Sequence, residues 1–254
     1  MIRNPLRRKF AAKETAYGLW VTLESASVSE IAAEIGLDWI CIDMEHGRLD
    51  YRDVVDHARA THGSSTAVLV RVPTLGVDTI KRALDLGVDG VILPLVRSAA
   101  ELREAFSYAR YPTAGLRAIG GERAVRWGLR MDEYLNAANE EILVIPNIET
   151  KEASADINAI LAVPGVEAIF FGPYDLSASL GHFNVWEGPG VAEDILRMRR
   201  LAAERGIASG LVTTSAEDLK RRRDQGFQMI GLGSDTTMMI RQIKSLLESA
   251  KQSK

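Results

Sequence analysis

The 254-residue chain holds a single cysteine, Cys41. One thiol excludes an intrachain disulfide framework. Its place inside the apolar run at 39–42 points to a buried, inert sulfur. Excess positive charge is also missing. Lys and Arg number 31 against 34 Asp and Glu, for a net charge of −3. That leaves no basic field for nucleic acid. No apolar run approaches the roughly 20 residues of a membrane span. The first nine residues are basic but no apolar stretch follows, so a secretory signal is not expected and the cytoplasm is the default compartment. No repeat, low-complexity tract or linker divides the chain, so a single domain over 1–254 is expected. A glycine-rich phosphate loop is absent too: Glu24-Ser25-Ala26 follows the first predicted strand, with no GxGxxG. Finally, no lysine falls on a predicted strand end. Lys81, Lys151 and Lys220 lie in or at the starts of helices, which argues against imine catalysis.

What is present is a core and a rhythm. Hydrophobic residues make up 46% and charged residues 26% of the chain, as in globular proteins with a sizeable core. Asn4 and Pro5 predict a short opening helix, with proline at its first position. Strands are then predicted at 18–23, 39–43, 67–72, 90–93, 142–148, 168–171, 208–212 and 229–232. Helices are predicted at 27–35 (capped by a serine), 51–61, 77–86, 98–108, 131–139, 151–161, from 190 to about 205, 215–225 and 237–250. The strands are short and nearly continuously apolar, as a sheet buried on both faces requires. Eight strands, each followed by a helix, imply right-handed βαβ units and a (β/α)₈ barrel. An open doubly wound sheet is the alternative that the missing phosphate loop disfavours. The stretch 111–130 breaks the rhythm with Pro112, Gly115, Gly120, Gly121 and the arginines 117, 123, 126 and 130. A long irregular segment in a compact domain is usually functional.

In a barrel the strand C-termini form the active face. There the sequence places Asp43, Glu45 and His46, then Arg71, Asn147 and Glu149. Gly172, Pro173, Tyr174 and Asp175 follow, then Val212, Thr213 and Thr214, and last Gly231, Gly233, Ser234 and Asp235. Each polar residue has a plainer reading. Glu149 and Asp175 can belong to the caps of the helices after them, and His46 can be a turn residue. His57 and His62 read as surface residues, and His182 as a loop residue. Arg71 is harder to dismiss, because a guanidinium at a buried strand end needs an anion. Asp85 lies near a helix C-terminus, where the dipole disfavours an acid; that misfit points to a task elsewhere, such as a subunit contact.

This set suits metal-assisted chemistry on a 2-oxo acid. Glu149 and Asp175 offer hard oxygen ligands for Mg²⁺ or Mn²⁺. A Lewis acid there polarises the keto oxygen, and Arg71 stabilises the developing enolate. His46 suits a base near neutral pH, and Asp43, three residues earlier, suits its orienter. Such acid–base help contributes roughly 10²–10⁴-fold. The turn opened by Gly172 and Pro173 offers backbone N–H groups for a carboxylate.

At these residues the chain resembles the metal-dependent pyruvate aldolases of the HpcH/HpaI aldolase family. The resemblance is carried by IDMEHG at 42–47, LVRVP at 69–73, IKRALDLGVDGVILPLV at 80–96, YPTAGLRAIG at 111–120, NIET at 147–150, GPYDLSASLG at 172–181 and GLGSDTT at 231–237. It implies a (β/α)₈ barrel, in a hexamer of dimers that exchange their last helix. It implies a divalent metal (Mg²⁺, Mn²⁺ or Co²⁺) on Glu149 and Asp175, and no organic cofactor. His46 would be the base with Asp43 beside it, and Glu45 a lesser participant tied to the metal's waters. Arg71 would bind pyruvate, and Asp85 would serve a neighbouring subunit. The implied reaction is reversible cleavage of a 4-hydroxy-2-oxo acid to pyruvate and an aldehyde. Substrate contacts fall to Arg71, Asn147, Gly172, Pro173, Tyr174, Asp175 and Val212. Asn147 stands where many members have glutamine, Tyr174 replaces a small residue, and 185–190 is unlike the best-known members. These departures bear on the aldehyde partner more than on pyruvate. Two competitors remain: an oxaloacetate-decarboxylating or citrate-synthase-like condensation, and a non-catalytic binding protein, which would need a metal acid missing.

Overall fold

In the computed structural model, which describes residues 4–188 and 190–252, eight parallel strands close into a barrel in sequence order. Helix α1 (Pro5–Ala11) precedes them. Then follow β1 (Ala16–Val21), α2 (Ser27–Ile35), β2 (Trp39–Asp43), α3 (Tyr51–Ala60), β3 (Ala67–Arg71), α4 (Val77–Asp85), β4 (Gly90–Leu93) and α5 (Ala99–Ala109). The second half runs α6 (Met131–Glu141), β5 (Leu143–Ile148), α7 (Lys151–Ala155), α8 (Ile157–Ile160), β6 (Ala168–Phe171), α9 (Pro173–Ser179), α10 (Val191–Glu204), β7 (Ala208–Val212), α11 (Ala216–Asp224), β8 (Met229–Ser234) and α12 (Asp235–Gln252). The expected (β/α)₈ barrel is therefore the fold. Among the described residues no helix is long and apolar enough to cross a membrane.

The two-residue period of a strand divides each one between two cores. Outward side chains such as Ile40, Ile42, Val68 and Val70 pack under the helices. Inward ones, among them Trp39, Cys41, Leu69, Ile92, Ile145 and Phe170, fill the barrel with Leu6 and Phe10 of α1. Helix α1 thus closes the N-terminal end of the barrel. Asn4 fixes it there: its side chain accepts from the Leu6 N–H and donates to the Asp89 carbonyl. Gly18 faces inward on β1 because Trp39 fills that space; any Cβ at 18 would collide with the indole.

Continuing the inward alternation by one step brings the chain to the site. After Cys41 comes Asp43, after Leu69 comes Arg71, and after Ile145 come Asn147 and then Glu149. The top layer of the barrel core is therefore polar, and it sits at the C-terminal ends of the strands.

Four local expectations need correction. Helix α2 carries no side-chain N-cap; Ala26 occupies that position. The helix expected over 151–161 breaks at Asp156, whose carboxylate leaves the helical path to accept from the Ala99 N–H at 2.8 Å. His57 is buried, not on the surface, because its ring turns inward to meet Ser29 Oγ at 2.7 Å between α3 and α2. The irregular stretch 111–130 holds a 3₁₀ turn at Arg123–Val125. Two of its arginines point inward as staples: Arg117 meets Asp85, and Arg123 donates to the carbonyls of Leu86 and Ala58.

Candidate active site

The polar layer is organised by Arg71. Strand register sets Asp43 directly beside it. The guanidinium grips that carboxylate with two bonds, Nε to Oδ1 at 2.9 Å and Nη2 to Oδ2 at 2.5 Å. Two-pronged pairs of this kind are the strong, directional class of charge-assisted bonds. Trp20 adds a third donor, its Nε1 reaching Asp43 Oδ2 at 3.2 Å, and its ring lies 4.9 Å from the Arg71 guanidinium. Burial pushes the Asp43 carboxyl up, but the bonds and charge of Arg71 outweigh it and hold the group below the usual range. Burial likewise disfavours the Arg71 charge, and Asp43 and Glu45 overcome it, leaving the guanidinium more firmly protonated than usual.

The remaining arm, Arg71 Nη1, lies 3.0 Å from Glu45 Oε2. That same oxygen lies 3.8 Å from His46 Nε2. Glu45 therefore stands between a fixed cation and an imidazole. Burial, helped by the charges of Asp43 and Asp175, raises its carboxyl above the ordinary value. The expected pairing of Asp43 with the His46 ring is not formed. Asp43 touches His46 only through its backbone N–H, at 3.4 Å, because both carboxylate oxygens are committed to Arg71. Glu45, expected as a lesser participant, is the carboxylate beside the imidazole.

On the other side of the barrel mouth Glu149 is 2% exposed. Its Oε1 accepts from the Leu95 N–H at 2.6 Å, and its Oε2 accepts from Asn147 Nδ2. Burial, with the neighbouring charges of Glu45 and Asp175, pushes its carboxyl up to about 7, against the lowering effect of the Leu95 bond and Arg71. Gly172 makes this packing possible, since a Cβ there would run into Glu149 Oε2. Asp175 follows on the first turn of α9 and is exposed.

One cavity of about 340 Å³ joins these parts. Its floor includes Trp20, Arg71, Asn147, Glu149 and Phe170, and its wall includes Gly172, Pro173, Tyr174, Asp175 and Val212. Asp43 stands behind Arg71; Glu45 and His46 do not line the cavity, and the His46 side chain is 65% exposed. Asp85 is not part of this cavity. It pairs with the buried Arg117, 2.7 Å away, and lines a separate surface hollow with Tyr51, Arg82 and Trp127. His62 and His182 are exposed, and neither lines the cavity.

Sequence reasoning misses several contributors, Phe170 and Phe171 of β6 among them. Trp20 lies on the inward period of β1, a signal that could have found it. Leu95 contributes only a backbone N–H, so its side chain carries no signal. Trp186 and Arg241 also line the cavity, from a loop and from α12, where no periodicity announces them.

The donor set fits a hard divalent cation. Among the described residues no group of three or more His, Cys, Asp or Glu is placed to hold a metal ion. Glu149 and Asp175 nonetheless bring two carboxylates, and Asn147 Oδ1 is buried beside them without a hydrogen-bond partner. Such a set leaves positions for water and substrate, as hard cations in catalytic sites use.

The sequence profile of the HpcH/HpaI aldolase/citrate lyase family matches residues 16–242. A hydroxypyruvate/pyruvate aldolase of Paraburkholderia phytofirmans is 36% identical over 258 residues, covering 98% of each chain. A 4-hydroxy-2-oxo-heptane-1,7-dioate aldolase of Escherichia coli is 34% identical over 247 residues, covering 96% of this chain and 94% of its own. The crystal structure of an HpcH/HpaI aldolase/citrate lyase family protein from Burkholderia cenocepacia matches with a TM-score of 0.93 at 33% identity, covering 98% of this chain and 99% of that one.

Proposed function

The chain belongs to the HpcH/HpaI aldolase/citrate lyase family, and from that premise we propose that it is a metal-dependent pyruvate aldolase. It is a carbon–carbon lyase that cleaves a 4-hydroxy-2-oxo acid to pyruvate and an aldehyde, and joins them in reverse. The observation that carries this reading is the fixed Arg71 cation facing Glu149 across one cavity at the strand ends.

In the cleavage direction, a base takes the proton of the 4-hydroxyl. The C3–C4 electron pair passes into C2–C3, and the aldehyde departs. Pyruvate remains as its enolate until C3 gains a proton. Arg71 meets the negative charge that grows on the 2-oxo oxygen, and Asp43 and Trp20 keep it aimed and charged throughout. Preorganised charge of this kind supplies most of the rate enhancement in many enzymes. His46 is the proton carrier, with Glu45 rather than Asp43 beside its ring. Val212 and the first turn of α9 line the pyruvate end, and Trp20, Phe170 and Phe171 keep bulk water from it. Glu149 and Asp175 would hold the divalent cation (Mg²⁺, Mn²⁺ or Co²⁺), with Asn147 next to them. When bound, the cation supplies Lewis acidity toward the 2-oxo group.

The exposed apolar residues of α12, among them Ile243, Leu246 and Leu247, support a homo-oligomer in which this helix is exchanged between subunits, as in a hexamer. Asp85, steadied by Arg117, then serves a neighbouring copy's site.

The test is release of pyruvate from a 4-hydroxy-2-oxo acid, followed with and without chelation. Activity lost in EDTA and restored by Mg²⁺, Mn²⁺ or Co²⁺ is the expected outcome. Undiminished activity after thorough chelation contradicts the reading.

A further inference from the structure

The cavity is larger than pyruvate needs. Its volume of about 340 Å³ falls within the roughly 300–1,000 Å³ typical of small-molecule sites. The pyruvate end is set by Arg71 and Glu149 at the barrel floor. Two aromatic rings also line the cavity, Tyr174 at the start of α9 and Trp186 in the loop between α9 and α10.

Those rings are braced unequally. Tyr174 and Trp186 meet edge to face, with centroids 6.4 Å apart and planes at 70°. Tyr174 is 52% exposed, whereas Trp186 is 7% exposed. Behind Trp186 lies Arg222, its guanidinium 4.4 Å from the indole centroid. Arg222 is itself 2% exposed and donates Nε to Asp218 Oδ1 at 2.8 Å. The next residue in the loop, Glu187, pairs with Arg222 and lies 3.0 Å from Arg221. Helix α11 therefore clasps the loop at Trp186 and at Glu187. The indole is held as a platform with its position fixed in advance, and Tyr174 stands beside it with free surface.

Fixed aromatic surface costs little ordering entropy and favours a flat apolar partner in offset or edge-on contact. We infer that Tyr174 and Trp186 form the subsite for the aldehyde partner, and that this partner carries an aryl body. The inference rests on the pyruvate aldolase reading and narrows it to a substrate class.

The experiment compares benzaldehyde with glycolaldehyde as partners for pyruvate in the intact protein with divalent metal. The readout is the ratio of their kcat/KM values. Wild type is expected to favour benzaldehyde. Tyr174→Ala and Trp186→Ala should each lower that ratio roughly three- to tenfold, and Trp186→Phe should keep most of it. Tyr174 is half in solvent, so its variant tests the idea even if Trp186→Ala disturbs the loop. A wild-type preference for glycolaldehyde, or a ratio unmoved in Tyr174→Ala, overturns the subsite. Wild-type exchange of the pyruvate methyl protons without aldehyde separates the two failures. Exchange with no aryl preference removes the subsite alone, whereas no exchange removes the aldolase reading and the subsite with it.

Discussion

Arg71 gathers most of the site's electrostatics into one side chain. It is 9% exposed, so its charge is stable only because Asp43 and Glu45 surround it. The geometry is specific to a guanidinium: two arms reach Asp43 and a third reaches Glu45, which a lysine ammonium cannot reproduce. Arg71→Lys should therefore lower kcat/KM by roughly 10²–10³-fold while the charge is conserved. Steady-state kinetics on a 4-hydroxy-2-oxo acid checks this, and a change of less than threefold would place the enolate charge elsewhere. The neighbouring residues show where single-residue reading fails. A spacing of three between Asp43 and His46 suggests a paired acid and base. In the fold that spacing joins a carboxylate to a backbone N–H, while the ring swings toward Glu45. Sequence separation does not say which side-chain atoms meet once a strand has ended and a turn begun.

The strands are the most legible elements. Four of them, Trp39–Asp43, Gly90–Leu93, Ala168–Phe171 and Ala208–Val212, have the bounds read from their apolar runs. A buried parallel strand has no polar face to blur its ends. The inward period carries that legibility into the site, to Asp43, Arg71, Asn147 and Glu149. The loops are not legible in the same way. Trp186 is held by Arg222 from a distant part of the chain, an arginine that also pairs with Glu187, and no local pattern encodes that clasp. The join of β6 to α9 carries its own test. Gly172 leaves room for Glu149, so Gly172→Ala should displace that carboxylate and weaken divalent-metal binding roughly 10–100-fold, the size of effect that support around a metal ligand commonly has. Titration calorimetry with Mn²⁺ reads it directly; unchanged affinity would mean that Glu149 is not a ligand or that it relaxes freely.

The barrel as a unit is closed below by α1 and carries its chemistry above. What a single copy leaves uncovered is α12. Met238, Met239, Ile240, Ile243, Leu246 and Leu247 are 41–60% exposed on it. Exposed apolar side chains gathered on one helix are what an association surface offers, and the proposed homo-oligomer would cover them. The intact protein should run as an oligomer by light scattering, and Leu246→Lys combined with Leu247→Lys should shift it toward smaller species. A wild-type monomer at micromolar concentration would contradict the exchanged-helix reading.

Everything proposed for this cavity depends on its enolising pyruvate with a divalent cation. Exchange of the pyruvate methyl protons for deuterium, followed by NMR in D₂O without any aldehyde, isolates that step. The expected result is exchange that stops in EDTA, returns with Mg²⁺ or Mn²⁺, and is lost in His46→Ala. Exchange no faster than in buffer, or exchange indifferent to chelation, would contradict it.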